Sequence, residues 1–362
     1  MSHFSEEIKS LPIAMEYIGS KRLLLGFVVG NVKRAVGNAP KEVADIFSGT
    51  GVVSAAFKAN GFAVSANDHL ATCFNLTSAI LLNNHAPSFA GLEPQITSLG
   101  ASPYLSVLQF LNSLPERSGG FIHTHYSPAS LERLGYERRY FTEINAARID
   151  TVRAMICHWH DLLTPQERAL LLTDLVRAVS AVSNVAGTYG CYLKQWKSRA
   201  RDILFLKPSY FVPGCYGEHS VTSMDVQEAL KIKATAIVYA DPPYTKRQYA
   251  AYYHVLETIV RSDNPQLVGT TGLRNWETHS SDFCYKRKAE GAMERLLNAT
   301  DCEHFFLSYN DDGQISHARL LDLLGAFGKT SVQELSLKRY RSSSLPHKGP
   351  TVAERLYHVR MQ

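Results

Sequence analysis

The sequence predicts an α/β protein in which a mainly parallel sheet, with helices on both faces, is interrupted by a mainly helical insertion. Residues 41–84 alternate between short apolar runs and helix-like segments joined by turns, which is typical of a parallel sheet with crossover helices. From about residue 86 the pattern becomes loop-rich and then strongly helical, and strand-like runs return later. We therefore assign the sheet to residues 1–85 and 215–362, and the insertion to residues 86–214.

The first predicted elements follow from strand and turn chemistry. The runs KEVADIF (41–47) and FAVSAND (62–68) are short, apolar and partly β-branched, so both predict strands. Between them VVSAAFKANG (52–61) predicts a helix that ends at a glycine, a residue that tolerates the left-handed backbone of helix C-termini. The next stretch, LATCFNLTSAILLNN (70–84), predicts a second helix.

The insertion contains two long predicted helices. The first is FTEINAARIDTVRAMICHWHDLL (141–163), with Thr142 as its expected cap. The second is TPQERALLLTDLVRAVSAV (164–182), where Thr164 and Glu167 match a capping box.

Strand-like runs return after these helices. We predict strands at DILFLK (202–207), AIVYA (236–240), HFFLSYN (304–310), SVQELSLKRYR (331–341) and RLYHVRM (355–361), and a helix at YHVLETIVR (253–261). The last two strands are expected to form an antiparallel pair.

Composition sets only broad limits on function. The 362-residue chain is 45% hydrophobic and 20% charged, and its formal charge of +5 permits a nucleic-acid partner without requiring one. Neither a signal-peptide core nor an apolar run of membrane-span length is present, so we expect a cytoplasmic protein without a membrane partner. The six cysteines are scattered without a C-x-x-C pair, which favours reduced thiols and no metal site.

Three polar turns follow predicted strands, where open α/β sheets bind their ligands. In the first turn Gly49 and Gly51 lack a Cβ, so a ligand can approach the backbone. At the end of the second strand Asp68 offers a carboxylate suited to a ribose diol. After the strand AIVYA comes Asp241. Each feature also has a plain structural interpretation, as an ordinary turn, a helix cap or a solvated acid.

The run YADPPY is the most specific pattern in the chain. Its tandem prolines, Pro242 and Pro243, donate no ladder hydrogen bonds, so they end the strand and stiffen the turn after it. Beyond a stiff connection, the run has a chemical interpretation. The carboxylate of Asp241 and the carbonyl of Pro242 can accept both N–H bonds of an adenine amine and draw its nitrogen toward a nucleophilic geometry. An extruded base could stack on Tyr244.

Several motifs in this order resemble the Dam-like, alpha-group DNA adenine-N6 methyltransferases of restriction–modification systems. The segment YIGSKRLLL (17–25) resembles the N-terminal Tyr-x-Gly-x-Lys segment of that family, and DIFSGTGVVS (45–54) resembles its cofactor loop. The Asp-Pro-Pro-Tyr turn follows the recognition region, as it does in the family. Later segments at 305–313 and 337–344 are also similar, whereas most of the insertion is not covered.

The resemblance implies a Rossmann-like methyltransferase sheet that binds S-adenosylmethionine, releases S-adenosylhomocysteine and requires no metal. It implies four catalytic residues, Asp241, Pro242, Pro243 and Tyr244. The cofactor-binding residues that it implies are Tyr17, Gly19, Lys21, Asp45, Phe47, Ser48, Gly49, Gly51, Asn67, Asp68 and Asp225, the last of these toward the adenine of the cofactor.

The insertion has a size suited to reading a DNA sequence, and basic residues in and after it are candidates for contact with double-stranded DNA. These are Arg133, Arg138, Arg139, Lys194, Lys197, Arg199, Arg201, Lys246 and Arg247. We assign the four between 194 and 201 to phosphates. We assign at least one of the three between 133 and 139 to a base, since arginine can bond guanine through two hydrogen bonds. The structural alternative is a charged, solvated face around a buried Trp196.

Four functions fit these motifs. The leading one is site-specific methylation of adenine N6 in duplex DNA. Ribosomal-RNA adenine methyltransferases can carry a similar turn, but the long insertion favours DNA. Methylation of cytosine N4 is disfavoured, because its related turn more often begins with serine. A catalytically idle DNA-binding module is disfavoured by the intact Asp241, Tyr244 and glycine turn. The sequence leaves open the recognition site, a companion restriction endonuclease, and whether the protein is a monomer or a dimer.

Overall fold

A computed structural model describes residues 15, 17–37, 42–96, 102–214, 218–338 and 351–362. Part of the similar segment 337–344, the N-terminal residues considered for targeting signals and Cys215 lie outside the described residues. Within the described ranges, no helix is both long and apolar enough to cross a bilayer.

The described strands form one seven-stranded sheet and a separate hairpin. The strands of the sheet are β1 (Glu42–Asp45), β2 (Ala63–Asn67), β3 (Ser220–Thr222), β4 (Ile237–Ala240), β7 (His304–Asn310), β8 (Gly328–Lys338) and β9 (Thr351–Met361), and those of the hairpin are β5 (Leu267–Val268) and β6 (Leu273–Arg274). The sheet order is β3-β2-β1-β4-β7-β9-β8. The first five strands of that order are parallel, and β9 runs antiparallel to both neighbours. The predicted α/β class and the late antiparallel pair are confirmed.

Helices cover both faces of this sheet and build most of the insertion. They are α1 (Leu25–Val36), α2 (Val52–Ala59), α3 (Ala71–Leu81), α4 (Pro103–Ser113), α5 (Phe121–Tyr126), α6 (Leu131–Leu134), α7 (Glu143–His158), α8 (Pro165–Ala181), α9 (Val226–Ile232), α10 (Tyr249–Tyr252), α11 (His254–Arg261), α12 (Ala289–Ala299) and α13 (His317–Gly325). Short 3₁₀ turns lie at Arg22–Leu24, Ala90–Leu92, Pro128–Ser130, Ser198–Arg201, Glu277–His279 and Asp282–Cys284.

The two long insertion helices begin at the predicted caps. The hydroxyl of Thr142 accepts a hydrogen bond from the Asn145 amide, which starts α7. Thr164 and Glu167 form a complete capping box at the start of α8. The Glu167 carboxylate also accepts a hydrogen bond from the Phe89 amide at 2.6 Å. Such caps typically contribute about 1 kcal/mol each to stability.

The predicted strand at 202–207 is wrong, although its alternating pattern is real. Leu204 and Leu206 are buried, while Ile203 and Phe205 are 56% and 57% exposed. The segment has no regular secondary structure, because side-chain amides take the place of a neighbouring strand. Asn145 bonds the amide of Leu204 and the carbonyl of Asp202 at 2.9 and 2.8 Å. Asn112 does the same for both backbone groups of Leu206, at 2.9 and 3.0 Å.

The strand order reverses at β1. From β1 the chain steps outward through β2 to β3, and it then returns to place β4 on the other side of β1. The carboxyl ends of β1 and β4 therefore flank a topological switch point, where doubly wound sheets leave a crevice for ligands.

The insertion shares its apolar core with the sheet region. One buried cluster contains Leu76 of α3, Leu171 of α8 and Leu256 of α11. The hydroxyls of Tyr126 and Tyr140 donate to backbone carbonyls of the β5–β6 hairpin at 2.8 and 3.0 Å. One apolar core therefore extends across the predicted domain boundaries at 85/86 and 214/215. The assignment of residues 86–214 to a separate domain stays a prediction.

Candidate active site

A cavity of about 370 Å³ lies at the carboxyl ends of β1, β2 and β4. It brings together segments that are distant in the chain, from Tyr17 to Arg295. All of the predicted catalytic and cofactor residues line it except Gly51: Tyr17, Gly19, Lys21, Asp45, Phe47, Ser48, Gly49, Asn67, Asp68, Asp225, Asp241, Pro242, Pro243 and Tyr244. The structure thus places the motifs of the resemblance around one space.

The glycine turn after β1 needs both of its glycines, for different reasons. Gly49 and Gly51 have φ angles of +53° and +77°, which favour glycine. A Cβ on Gly51 would lie 3.0 Å from the Thr77 hydroxyl oxygen and 3.1 Å from its Cα, so this glycine lets α3 pack closely. An added Cβ on Gly51 would face α3, and Gly51 does not line the cavity, so its role in cofactor binding stays a prediction.

Asp68 joins the turns that follow β1 and β2. One carboxylate oxygen accepts a hydrogen bond from the Gly49 amide at 2.8 Å, and the other accepts from the Leu70 amide at 3.0 Å. Burial raises the pKa of Asp68 to about 6, although these two hydrogen bonds oppose the rise. A carboxylate has about four acceptor positions, so Asp68 can also accept from a ligand hydroxyl.

Asn67 uses its side chain inside the protein. Its amide nitrogen donates to the Met224 carbonyl at 3.1 Å, and its oxygen accepts from the Thr222 hydroxyl at 2.8 Å and the Met224 amide at 3.3 Å. Asp225 follows at once and caps α9 by accepting from the Gln227 amide at 2.9 Å. Asn67 therefore helps to position Asp225, and its own contact with the cofactor stays a prediction.

Two tyrosines fasten the N-terminal segment over the cavity. The Tyr253 hydroxyl accepts from the Ile18 amide at 2.8 Å, and the Tyr249 hydroxyl donates to the Ile18 carbonyl at 3.0 Å. The ring of Tyr17 stacks on Tyr253 with 4.6 Å between centroids. Gly19 has φ of +75°, and a Cβ there would lie 3.0 Å from the Tyr249 hydroxyl. Tyr249 and Tyr253 thus hold the N-terminal segment in place, and Tyr249 also lines the cavity.

Lys21 contacts the predicted catalytic acid. Its ammonium lies 2.9 Å from Asp241 Oδ1 and donates to the Tyr244 hydroxyl at 3.1 Å. Lys21 is 3% exposed. Burial raises the pKa of Asp241 to about 6, although the charge of Lys21 opposes the rise. Lys21 therefore helps to keep Asp241 ionised near neutral pH.

Tyr244 is held by its hydroxyl as well as by its ring. The hydroxyl accepts from Lys21 and from the Asn310 side-chain amide, each at 3.1 Å. The ring packs on Tyr309 with 4.9 Å between centroids and is 8% exposed. Stacking of a base on Tyr244 stays a prediction, and the hydroxyl has a role that the sequence did not reveal.

Two further polar residues complete this cluster. The side-chain amide of Asn310 donates to Glu354 Oε1 at 2.7 Å, and Glu354 Oε2 lies 4.0 Å from the Lys21 ammonium. Asn310 could have been found from the sequence, because it is a polar residue at the end of a predicted strand, as Asp68 and Asp241 are. Glu354 could not be found that way, because its position depends on the register of β9 against β7.

Asp45 presents a buried oxygen without a partner. Its Oδ2 accepts from the Ser54 hydroxyl at 2.6 Å, while Oδ1 has no hydrogen-bond partner among the described residues. Burial raises the pKa of Asp45 to about 7. Because Asp45 lines the cavity, this oxygen fits a ligand that carries a hydrogen-bond donor or a positive charge.

Comparison with known proteins decides the family. Residues 17–318 match the profile of the D12 class N6 adenine-specific DNA methyltransferases. The chain belongs to this family. The predicted resemblance to Dam-like adenine-N6 methyltransferases is confirmed.

Relatives of this D12 class chain are modification enzymes. The Type II methyltransferase M.NlaIII of Neisseria lactamica is 33% identical over 350 residues, which cover 95% of this chain and 98% of the relative. The modification methylase StsI of Streptococcus sanguinis is 33% identical and covers 96% of this chain. The Type II methyltransferase M.FokI of Planomicrobium okeanokoites is 34% identical and covers 92% of it. The chain spans 52% and 50%, about half, of the length of these last two.

Some predicted DNA-contacting residues of this D12 class chain have internal roles. Arg138 is 3% exposed, and its guanidinium donates to the carbonyls of Gly269 and Thr270, each at 2.9 Å. It therefore fastens the β5–β6 hairpin, which corrects its assignment to DNA. Lys197 donates to the Val185 carbonyl.

Other predicted contacts remain accessible to a large partner. Arg139 is half-buried and donates to the Lys194 carbonyl at 2.7 Å. The exposed cations of the prediction are Arg133, Lys194, Arg199, Arg201, Lys246 and Arg247.

A second basic run in this D12 class chain begins two residues after Cys284, whose Sγ lies 3.3 Å from the Arg247 carbonyl oxygen, just after the Asp-Pro-Pro-Tyr turn. Lys286, Arg287 and Lys288 are exposed. The segment before them is tied to the residues after the turn, because the Gln248 side-chain amide exchanges two hydrogen bonds with the Ser281 backbone at 2.9 and 3.1 Å. Sequence reasoning missed this run, since it lies about 40 residues from the turn along the chain.

Proposed function

We propose that the chain transfers a methyl group from S-adenosylmethionine to the N6 amine of a flipped adenine at a specific site in duplex DNA. The observation that carries the proposal is Asp241. It opens the Asp-Pro-Pro-Tyr turn, lines the cavity and is paired with Lys21 at 2.9 Å. Family membership supports adenine as the base, and the Type II relatives support modification of a specific site.

The residues around the cavity fit S-adenosylmethionine. On this proposal Asp68 accepts from the ribose hydroxyls, and Asp225 accepts from the adenine amine. The turn at Gly49 gives the cofactor close access to backbone, and the unpartnered oxygen of Asp45 suits a donor or a positive charge. Tyr17, Gly19, Phe47 and Ser48 line the remaining wall. When bound, the cofactor supplies an electrophilic methyl group.

The catalytic turn prepares the amine as a nucleophile. Asp241 and the Pro242 carbonyl accept the two N–H bonds of N6, and the tandem prolines fix the direction of that carbonyl. On receiving the methyl group N6 would have to lose a proton, and bound S-adenosylmethionine would supply that methyl group with its sulfur as the leaving group. Asp241 is placed to accept the proton, because Lys21 favours its ionised form.

Exposed cations near the turn provide the DNA-facing surface in this proposal. Lys246 and Arg247 follow the turn directly, and the run Lys286–Lys288 lies beside them. Phosphate contacts of this kind do not depend on sequence and hold the duplex in register. The exposed cations of the insertion, Arg133, Lys194, Arg199 and Arg201, extend the surface toward the flanking bases.

A restriction–modification role implies a companion restriction endonuclease that cuts the same site when it is unmethylated.

The proposed methyl transfer is tested by incubating the chain with labelled S-adenosylmethionine and either duplex DNA or RNA, followed by nucleoside analysis. We expect label in N6-methyldeoxyadenosine. Label in RNA, in N4-methylcytosine or in no nucleoside would contradict the proposal.

A further inference from the structure

The buried carboxylate of Glu354, close to the Asp-Pro-Pro-Tyr turn, has no role in the methyl transfer as proposed above. The residue is 8% exposed. Its Oε1 accepts from the Asn310 side-chain amide at 2.7 Å, but its buried Oε2 has no hydrogen-bond partner among the described residues. That oxygen lies 4.0 Å from the Lys21 ammonium. A second carboxylate thus faces the cation that neutralises Asp241.

The register of the sheet brings Glu354 to this position. Glu354 of β9 is the ladder partner of Asn310, the last residue of β7. Its neighbour Arg355 pairs with the exposed side chains of Asp311 and Glu334 instead. Because successive side chains of a strand point to opposite faces, only one of these neighbours can reach the catalytic turn.

We propose that Glu354 is a positioning residue for the methyl transfer, acting through Asn310 and Lys21 on Tyr244 and Asp241. The inference rests on the proposed function and concerns the same site. Asn310 donates one hydrogen to Glu354 and one to the Tyr244 hydroxyl, which also accepts from Lys21. One carboxylate therefore anchors both groups that hold the Tyr244 hydroxyl.

The charge of Glu354 also sets how strongly Lys21 binds Asp241. Lys21 lies 2.9 Å from Asp241 and 4.0 Å from Glu354, so the two carboxylates share one cation. If Glu354 were neutral, Asp241 would be the only one of these two carboxylates to attract the Lys21 ammonium. Asp241 would then be a weaker acceptor for the amine and a weaker base for its proton.

The charge of Glu354 should change the pKa of Asp241 in a predictable direction. Burial is the main cause of the raised pKa of Asp241, Lys21 opposes it, and the negative charge of Glu354 adds to it. Removing that charge should lower the pKa of Asp241. The acid limb of the kcat/KM profile should therefore move to lower pH.

The test is Glu354→Gln, whose amide oxygen can still accept from Asn310. We expect kcat to fall about 10- to 100-fold, the range for a misplaced catalytic group, together with an acid limb at lower pH. Affinity for S-adenosylmethionine, measured by calorimetry, should be unchanged, because Glu354 does not line the cavity. Wild-type kcat, or an unmoved acid limb, would overturn the proposal.

Two further variants separate positioning from folding. Glu334→Gln removes an exposed carboxylate of β8 that pairs with Arg355, and it should leave the profile unchanged. Glu354→Asp keeps the charge, so its acid limb should stay at the wild-type pH even if kcat falls. An acid limb displaced equally in the Asp and Gln variants would contradict the proposal.

Nucleoside analysis of the wild-type product tests the proposed function separately, since the effect of Glu354 is measured on whichever reaction the enzyme performs.

Discussion

Tyr244 shows how one side chain can serve both structure and chemistry. Its hydroxyl accepts from two buried donors, Lys21 and Asn310. We predict that Tyr244→Phe lowers kcat and destabilises the fold by about 1–3 kcal/mol, the typical cost of leaving buried groups unsatisfied. Tyr244→Ala should be worse, because it also removes the ring that packs on Tyr309. Steady-state kinetics and denaturant unfolding of both variants check this, and a fully active Phe variant would show that only the ring matters.

Asp68 also combines two roles, because it joins two turns of the fold and is proposed to bind the ribose of the cofactor. We predict that Asp68→Ala weakens binding of S-adenosylmethionine by about 10- to 100-fold, the loss of one charge-assisted hydrogen bond. The variant also frees the amides of Gly49 and Leu70, so the turns that it joins should loosen. Calorimetric titration measures the affinity. An unchanged dissociation constant would mean that Asp68 only holds the turns together.

Among the elements, the Asp-Pro-Pro-Tyr turn and residues 281–283 line the same cavity and are joined to each other. The Gln248 amide clamps Ser281, and Cys284 Sγ lies 3.3 Å from the Arg247 carbonyl oxygen. The clamp places the exposed Lys286 and Arg287 beside the turn that presents Asp241. On the proposed function, a DNA backbone passes along this edge when a base enters the cavity.

We predict that the double variant Lys286→Ala and Arg287→Ala weakens binding to cognate and scrambled duplexes alike. Each lost phosphate contact should lower the salt dependence of binding by about one unit of log–log slope. Fluorescence anisotropy at several salt concentrations measures both quantities. The matched control is Lys329→Ala, an exposed lysine near the start of β8, at the opposite end of the sheet. Equal salt slopes for wild type and the double variant would exclude this run from the DNA surface.

Local sequence chemistry predicted most elements of the fold. Caps at Thr142 and Thr164 mark helix starts without any tertiary information, because each cap bonds its own first turn. The strand prediction for 202–207 failed because alternating burial also occurs in an extended segment without a partner strand. Here Asn112 and Asn145 bond its backbone instead. A local pattern cannot tell which partner satisfies the backbone.

At the scale of the whole molecule, the parts that the sequence could not reveal depend on distant partners. Glu354 reaches Asn310 and Lys21 through the register of β9 on β7. Arg138, predicted for DNA, instead binds a hairpin more than 130 residues later in the chain. The insertion and the sheet region share one core, so the position of the DNA-facing surface is set by packing as well as by motifs.

On the proposed function, Asp241 activates the target amine while other residues of the cavity hold the cofactor. The most direct test pairs calorimetric titration of Asp241→Ala with S-adenosylmethionine and a methylation assay on duplex DNA. We expect near-wild-type cofactor affinity with methyl transfer abolished, and severe impairment in Asp241→Asn, since an amide is neutral and a weaker acceptor. Turnover by Asp241→Ala close to that of the wild type would contradict it.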